Sequence, residues 1–536
     1  MTRELPAPYR IAGQVPLGPG ATPGLLGFKA YNLARMAAIG LNVPPALVLG
    51  TGYCSAAAAV VHDVWQPALA GLERETGLIF GDPRQPLLLS VRSGVPVSMP
   101  GMMETLLNIG LTDATVSGMI RLTGHPRLAW DAYRRLIAGY GEVVAGIAAA
   151  AFESDLAAVS AGETEYDLDF AALRDLARRH LMTFRREAGS DFPQDAGVQL
   201  QAAIVAVFGS WSSEKARSWR QLRGLAEDMG TAVTVQRMVF GNAGGLTGAG
   251  VGFTRNPSDG ATEPWVDFLY NAQGEDVVSG RRSAEGHRAL VTVAPQVWSE
   301  LATATQMLEH EFRDMQDFEF TVQNGVLFLL QTREGKRTPQ AQARIARDMA
   351  DEGLIDAVTA LNRTRGLDAA TLSTNVIAAV DGDVLVPLAL AATAASGVVC
   401  GQIAFSETAA RARHAAGAAV ILVRRDAETS DIAALDLSVG LLTQHGPRTS
   451  HAAVVARQMG KVCLVGCEAV VLDAVQGRCC FGERWFGEGD VITLDGNTGQ
   501  VYAGAARIVP QLRQDLLDRL TVLRRQGAEN QVMLPQ

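Results

Sequence analysis

Leu441-Leu-Thr443, Gly446-Pro-Arg448 and Thr449-Ser450-His451-Ala-Ala-Val-Val-Ala-Arg457 follow one another on the stretch that decides how this chain is read. Leu441 to Thr443 has the look of a strand end and Gly446-Pro447 of a turn. Thr449 or Ser450 then serves as an N-cap, its hydroxyl accepting a free backbone N–H. A helix beginning at His451 follows, because Ala452, Val455, Ala456 and Met459 recur at i, i+3, i+4 and i+7, and Gly460 offers a C-terminal stop. His451 falls in the first turn, where unpaired N–H groups and the positive end of the helix dipole favour a phosphoryl group on an imidazole nitrogen. Neutral imidazole is also a competent nucleophile. An isolated Ser-His pair equally describes a histidine that caps or packs beside a helix, so the rest of the chain must decide.

At 536 residues the chain is too long for one ordinary core and divides into two to four domains. Apolar residues make up 48% and charged ones 19%, the balance of a folded globular chain. A net charge of −9 and the lack of any dense Lys/Arg run argue against nucleic acid and leave a small molecule or a protein as partner. The longest apolar runs, such as Val144 to Phe152, are too short to span a bilayer. With no signal-peptide pattern at the N-terminus, no membrane partner and a cytoplasmic location are expected. The six cysteines form no paired CxxC arrangement and are expected to be reduced structural thiols.

The pattern along the chain is α/β and multidomain. Residues 1–340 alternate helical and strand patterns, 341–386 form a weakly patterned helical linker or hinge, 387–507 a compact β/α unit, and 508–536 a helical tail with Leu512, Leu516, Leu517 and Leu520 at helical spacing.

In Met315-Gln-Asp317-Phe-Glu319-Phe320 acids and aromatics alternate, so on a strand Asp317 and Glu319 share one face and Phe318 and Phe320 the other. Two carboxylates on one face suit Mg²⁺, which takes oxygen ligands and shares them with phosphates. Asn324-Gly325 is a tight-turn signal, and Val326 to Leu330 returns as a strand delivering Gln331 and Arg333 to a common face. The same pattern also describes the acidic outer face of an ordinary hairpin. Ser90-Val-Arg92-Ser-Gly94 leads into Ser98-Met-Pro-Gly101-Met-Met-Glu-Thr105, where Arg92 can hold phosphate bidentately and the backbone around Gly101 can cover transferred oxygens. A structural loop with a surface arginine reads the same way. Gly248-Ala-Gly-Val-Gly-Phe-Thr254-Arg-Asn-Pro257 is a further phosphate-facing candidate, though its glycine spacing fits neither the dinucleotide fingerprint nor the P-loop, and Lys29 stands as a lone basic residue.

Taken in order, these segments closely resemble pyruvate, phosphate dikinase and relatives such as phosphoenolpyruvate synthase, over nearly the whole chain. The match includes Gly27-Phe-Lys29, Phe253-Thr-Arg-Asn-Pro257, Asn271 to Val277, Leu330-Gln-Thr-Arg333 and the His451 motif. The resemblance implies an ATP-grasp-type nucleotide-binding domain followed by a swivelling β/β/α phosphohistidine domain. It implies that Lys29, Arg92, Thr254, Asp317, Glu319, Gln331 and Arg333 bind ATP, that the Gly101 loop covers the phosphates, and that Glu319 and Gln331 hold Mg²⁺; a monovalent cation is a further candidate cofactor. His451 would accept the phosphoryl group, with Thr449 and Arg92 beside it in the chemistry. The implied reaction splits ATP to AMP and passes the β-phosphoryl group through the histidine to an acceptor, one hard transfer becoming two easier ones.

The departures are specific. Gly446-Pro447-Arg448 stands where the family usually has Gly-Gly-Met, and Phe28 and Ala30 stand where glycines flank the family's lysine. Full-length dikinases continue into a pyruvate-binding barrel, so the expectation is a dikinase component whose small-molecule acceptor sits on a separate subunit, with a phenolic compound such as a hydroxyphenyl ketone as one candidate. A split or divergent pyruvate, phosphate dikinase making phosphoenolpyruvate is the alternative, and a non-catalytic nucleotide-binding regulator the second.

Overall fold

A computed structural model describes the chain except for residues 1–5, 19, 56, 98, 100–102, 161, 163, 280–284, 379–385, 427–430, 447, 449, 474–475 and 533–536. It forms two compact units, residues 1–247 with 328–332, and residues 248–327 with 333–536.

The first unit is built on five strands, β1 (Tyr9–Ile11), β2 (Ala46–Leu49), β3 (Leu89–Gly94), β4 (Thr105–Ile109) and β5 (Ala232–Arg237), in the order β1-β2-β5-β3-β4. Helix α1 (Pro23–Ala38) opens with Pro23 at its start and Thr22 capping Leu25 N–H, the two commonest N-terminal devices. Three further helices, α2 (Pro126–Val143), α3 (Phe170–Ala188) and α4 (Ala196–Gly209), join the sheet in one large apolar core. The Asp169 and Asp195 side chains cap α3 and α4. Inside this core His180 is 2% exposed, its Nδ1 3.1 Å from the Arg134 carbonyl oxygen and its ring edge-on to Phe152.

In the second unit β6 (Gly248–Phe253), β7 (Trp265–Tyr270), β8 (Glu285–Gly286), β9 (Gln316–Gln323) and β10 (Val326–Glu334) form a sheet in the order β8-β7-β6-β9-β10, with residues 328–332 of β10 grouping with the first unit. The hairpin turns at Asn324 and Gly325 with φ of 52° and 78°, as the Asn-Gly pair predicts. Register fixes the two faces. Phe318 pairs with Gly252 and Phe320 with Gly250, which in turn faces Phe268. A Cβ on Gly250 would lie 2.3 Å from Phe320 Cζ and 2.9 Å from the Asp267 carbonyl oxygen, so only glycine leaves room for the ring. The opposite face carries Asp317, Glu319, Phe253, Trp265 and Asp267.

The chain then forms α5 (Pro339–Asp351), α6 (Ala357–Arg363) and β11 (Ser373–Ile377). Eight strands follow in a second sheet. They are β12 (Ala389–Leu390), β13 (Ala392–Ala395), β14 (Val398–Ala404), β15 (Val420–Arg424), β16 (Gly440–Thr443), β17 (Val462–Val465), β18 (Val491–Asp495) and β19 (Gln500–Ala503), ordered β12-β19-β18-β14-β15-β16-β17-β13. Its centre, β14-β15-β16-β17, is parallel. Helix α7 (His451–Gln458) connects β16 to β17 and buries Ala452, Ala453 and Ala456 on the sheet, with Val455 and Met459 partly covered. The expected face is therefore present, joined by Ala453.

The expected linker and tail meet each other. Strand β20 (Ile508–Leu512) pairs antiparallel with β11, and α8 (Gln514–Val532) packs Leu516, Leu520 and Leu523 against Ile345, Met349 and Ala360. Leu512, read as the first turn of the tail helix, lies on the strand instead, because the β11 ladder claims its backbone.

Two predictions follow from packing and burial. Gly250→Ala should lower stability by about 1–3 kcal/mol through overpacking, and adding Phe320→Leu should recover part of that loss in thermal melts. Burial lowers the His180 pKa from its ordinary 6.5, so the folded protein resists a proton that the unfolded chain accepts. The stability this contributes is complete above pH 6.5 and is lost as pH falls through the lowered value. His180→Gln should flatten the acid limb of a melting-temperature profile.

Candidate functional site

In the first unit the start of α1 meets the end of β3. Phe28 N–H donates to the Val95 carbonyl oxygen at 3.1 Å, and Gly27, at φ 71°, sits where a Cβ would lie 2.3 Å from the Gly94 carbonyl oxygen. Lys29, two residues after this contact, is exposed, and Arg92, two residues before Gly94, is partly buried on β3 between Thr105 and Thr234. One turn beyond Lys29, Asn32 Nδ2 donates to the Thr332 carbonyl oxygen at 2.8 Å, which sets α1 beside Gln331, itself 8% exposed. Lys29, Arg92 and Gln331 are thus drawn to one region of this unit. Gly101 lies outside the described residues.

In the second unit Asp317 is buried and accepts from Arg333 Nε at 2.7 Å, so the carboxylate and guanidinium expected on facing strands do converge. Burial pushes the Asp317 carboxyl up, with Arg333 pulling the other way and Glu319 adding to the rise. Asp317 in turn holds the Arg333 guanidinium above its ordinary value. Glu319 is partly exposed on the same face. Carboxylate and amide oxygens such as those of Glu319 and Gln331 are the donors Mg²⁺ accepts when phosphates and water complete its shell.

Thr254 is placed differently from a phosphate contact. Its hydroxyl is buried, donates to Glu309 Oε1 at 2.7 Å and accepts the Gln316 N–H at 3.0 Å, while Arg255 holds the same Glu309 at 2.7 Å. These bonds fix the entry of β9, and so the face on which Asp317 stands.

The His451 loop leaves the C-terminal end of β16, the end at which open parallel sheets present their ligands. Thr443 Oγ1 donates to the His445 carbonyl oxygen at 2.6 Å, and His445 N–H to that of Arg425 at 2.9 Å, which pins the loop's start. Ser450 is the N-cap, accepting from Ala453 N–H at 3.3 Å, and α7 begins at His451. Thr449 and Pro447 lie outside the described residues. From this loop Arg448 Nη2 reaches Asp267 Oδ1 at 3.0 Å, its guanidinium carbon 4.1 Å from the Trp265 ring centroid. Arg457, 4% exposed on α7, donates to the Ala394 carbonyl oxygen at 2.6 Å and lies 5.4 Å from the ring centroids of both Phe253 and Trp265. Burial pulls its pKa down to about 10. The loop therefore rests on the face that carries Asp317 and Glu319. Asp267 pairs across to Val251 and Val251 to Glu319, so Asp267 and Glu319 are two strands apart, about 10 Å.

Asp267, Trp265 and Arg457 are site residues that sequence reasoning missed. An acid inside the apolar run Trp265-Val-Asp-Phe-Leu-Tyr270 was the available signal. Cys463, Cys467, Cys479 and Cys480 are buried and Cys54 and Cys400 partly so, and burial pushes Cys463 up to about 12 and Cys467 up to about 11.

The arrangement is thus an acidic and aromatic sheet face with the loop and helix that carry Arg448 and Arg457 laid against it. Residues 66–289 and 285–354 match the family model described as pyruvate phosphate dikinase, AMP/ATP-binding domain, and residues 417–499 match that of the PEP-utilising enzyme, mobile domain. The chain belongs to the pyruvate, phosphate dikinase family. It is 40% identical over 507 residues to the chloroplastic pyruvate, phosphate dikinase of Flaveria pringlei, covering 91% of this chain and 52% of the relative. It is likewise 40% identical over 500 residues to pyruvate, phosphate dikinase of Clostridium symbiosum, covering 91% and 57%. The chain spans about half the length of the curated relatives it matches. Among the described residues no helix is long and apolar enough to cross a membrane.

Thr254→Val should remove the acceptor of the buried Gln316 N–H and one of two donors to Glu309 Oε1, the other being Arg255 Nε, and cost about 1–3 kcal/mol of stability, with ATP affinity unchanged below the melting transition. Weakened ATP binding at an unchanged melting temperature would give the hydroxyl to the nucleotide instead.

Proposed function

We propose that the chain is an ATP-dependent phosphotransferase that splits ATP to AMP and carries the β-phosphoryl group on His451. The observation that supports this best is the shared sheet face: the loop leading into His451 touches Asp267, in register through Val251 with Glu319. In this reading residues 1–340 are the ATP-grasp-type part, 387–507 the swivelling carrier and 341–386 the connection between them. Lys29, Arg92, Gln331, Asp317, Glu319 and Arg333 take ATP, the Gly101 loop covers its phosphates, and Thr254 acts from beneath by fixing β9.

An imidazole nitrogen of His451 attacks the β-phosphorus, the bond to the α-phosphate oxygen breaks, and AMP leaves. The γ-phosphate then passes to water or inorganic phosphate, leaving the β-phosphoryl group on the ring. Thr449, one residue before the N-cap, and the free N–H groups of the first turn would steady that group's oxygens. Mg²⁺, where bound by Glu319 and Gln331, would neutralise charge on the phosphates during transfer.

For the acceptor, the names of the relatives support pyruvate, giving phosphoenolpyruvate, over a phenolic compound on a separate subunit. A cytoplasmic location fits either acceptor.

With Mg²⁺ and β-labelled ATP, AMP should form and acid-labile, base-stable label should appear on the protein but not on His451→Asn. Charged protein should then pass label to pyruvate in the presence of an acceptor-binding partner, with phenols as the competing arm. ATP binding with neither AMP nor label, with inorganic phosphate and candidate partners present, would leave a non-catalytic nucleotide-binding protein.

A further inference from the structure

Arg448 is held in a way that phosphoryl chemistry does not require. Its Nη2 and Nε lie 3.0 and 3.2 Å from the same oxygen of Asp267, and its guanidinium lies over Trp265 at 4.1 Å. The Asp267 side chain is 3% exposed and that of Arg448 22%. The acid belongs to the floor of the sheet, and the arginine reaches it from the rim of a loop 181 residues further along the chain. A planar guanidinium can pair with a carboxylate and lie on an indole at once, which an ammonium cannot do equally well.

We propose that Arg448, Asp267 and Trp265 form a docking clasp that holds the His451 loop on the nucleotide sheet, and that this clasp sets how long the histidine dwells there. The inference rests on the reading of His451 as a carrier that docks and departs. Arg448 is a positioning residue in this scheme, three places before His451, and acts by fixing where α7 begins.

The clasp is asymmetric in a manner suited to release. Arg448 is already part-solvated and carries its charge into water at little cost. Asp267 stays behind on the sheet, and re-docking restores its pairing with Arg448. Arg457 supports the geometry from the carrier side: it is anchored to Ala394 of its own sheet and faces the same Trp265. Trp265 thereby receives one arginine from each flank of the His451 motif. The pair is electrostatic at its rim, so salt should weaken it.

The test compares Arg448→Met, Arg448→Lys, Asp267→Asn and the swapped double variant Arg448→Asp/Asp267→Arg. Two readouts are followed: the rate of His451 labelling from β-labelled ATP, and amide hydrogen exchange of the peptide spanning 444–458. Arg448→Met should label at least about tenfold more slowly at saturating ATP, with ATP affinity unchanged, because taking the arginine from a buried carboxylate weakens docking. Arg448→Lys should fall between, exchange of the peptide should quicken in both, and the swapped pair should recover part of each loss. Wild-type labelling and wild-type exchange in Arg448→Met and Asp267→Asn would overturn the clasp. If the unaltered protein takes no label at all, the phosphotransfer reading fails, and the exchange data decide the clasp alone: faster exchange in the variants upholds it and unchanged exchange removes it.

Discussion

The geometry of the second unit depends on one steric interlock, the fit of Phe268, Phe318 and Phe320 into the space left by Gly248, Gly250 and Gly252. A Cβ at Gly248 or Gly252 would stand 2.2 Å from Phe268 Cζ or 2.8 Å from Phe318 Cζ, so the three rings fill the volume of three missing side chains. Phe268 and Phe320 stack at 5.8 Å with planes 10° apart. Since strand side chains alternate, committing the aromatics to this face commits Asp317, Glu319, Trp265 and Asp267 to the other. A one-residue slip of β9 would invert the set, placing carboxylates against the rings, and the glycines make that slip costly.

The opposite face is an electrostatic platform built to be covered. It joins acids that bind cations, Asp317 with Arg333 and Asp267 with Arg448, to an aromatic pair, Phe253 and Trp265, that faces Arg457. Below the platform, Thr254, Arg255 and Glu309 lock the crossing from β6 to β9. This division of labour explains why so many polar groups near the site are spoken for. Some fix strand position, and others face the loop that carries Arg448.

The elements legible from sequence are those with strong local periodicity. The acid-aromatic alternation of 315–320, the Asn324-Gly325 turn and the apolar stripe after His451 each predict their structure from neighbouring residues alone. The pairing of 373–377 with 508–512 was not legible, since a strand of partly exposed residues such as Ser373 to Ile377 has no alternation and finds its partner more than a hundred residues away. The glycines before Thr254 suggest a phosphate-facing turn by composition, whereas they answer to aromatic rings on the two neighbouring strands, a match that no local pattern shows. Arg448 was visible as an added charge, but its partner Asp267 was hidden in an apolar run, and no local pattern links the two.

A carrier of the kind proposed for His451 needs a docked state that is specific without being deep. A fully buried ion pair would give orientation at a heavy cost of desolvation on each visit, and an exposed pair would orient little. Burying the acid in the sheet while leaving the arginine at the rim limits that cost: the fixed partner is preorganised on its strand, and the arginine keeps part of its hydration while paired. Stacking on Trp265 adds direction, since a guanidinium lying on an indole face is restricted in tilt as well as position. Ser450 then caps α7 a residue ahead of His451, so fixing Arg448 fixes the helix start within three residues of the anchor. Precision at the start of α7 is thus obtained from contacts made by Arg448 and Ser450.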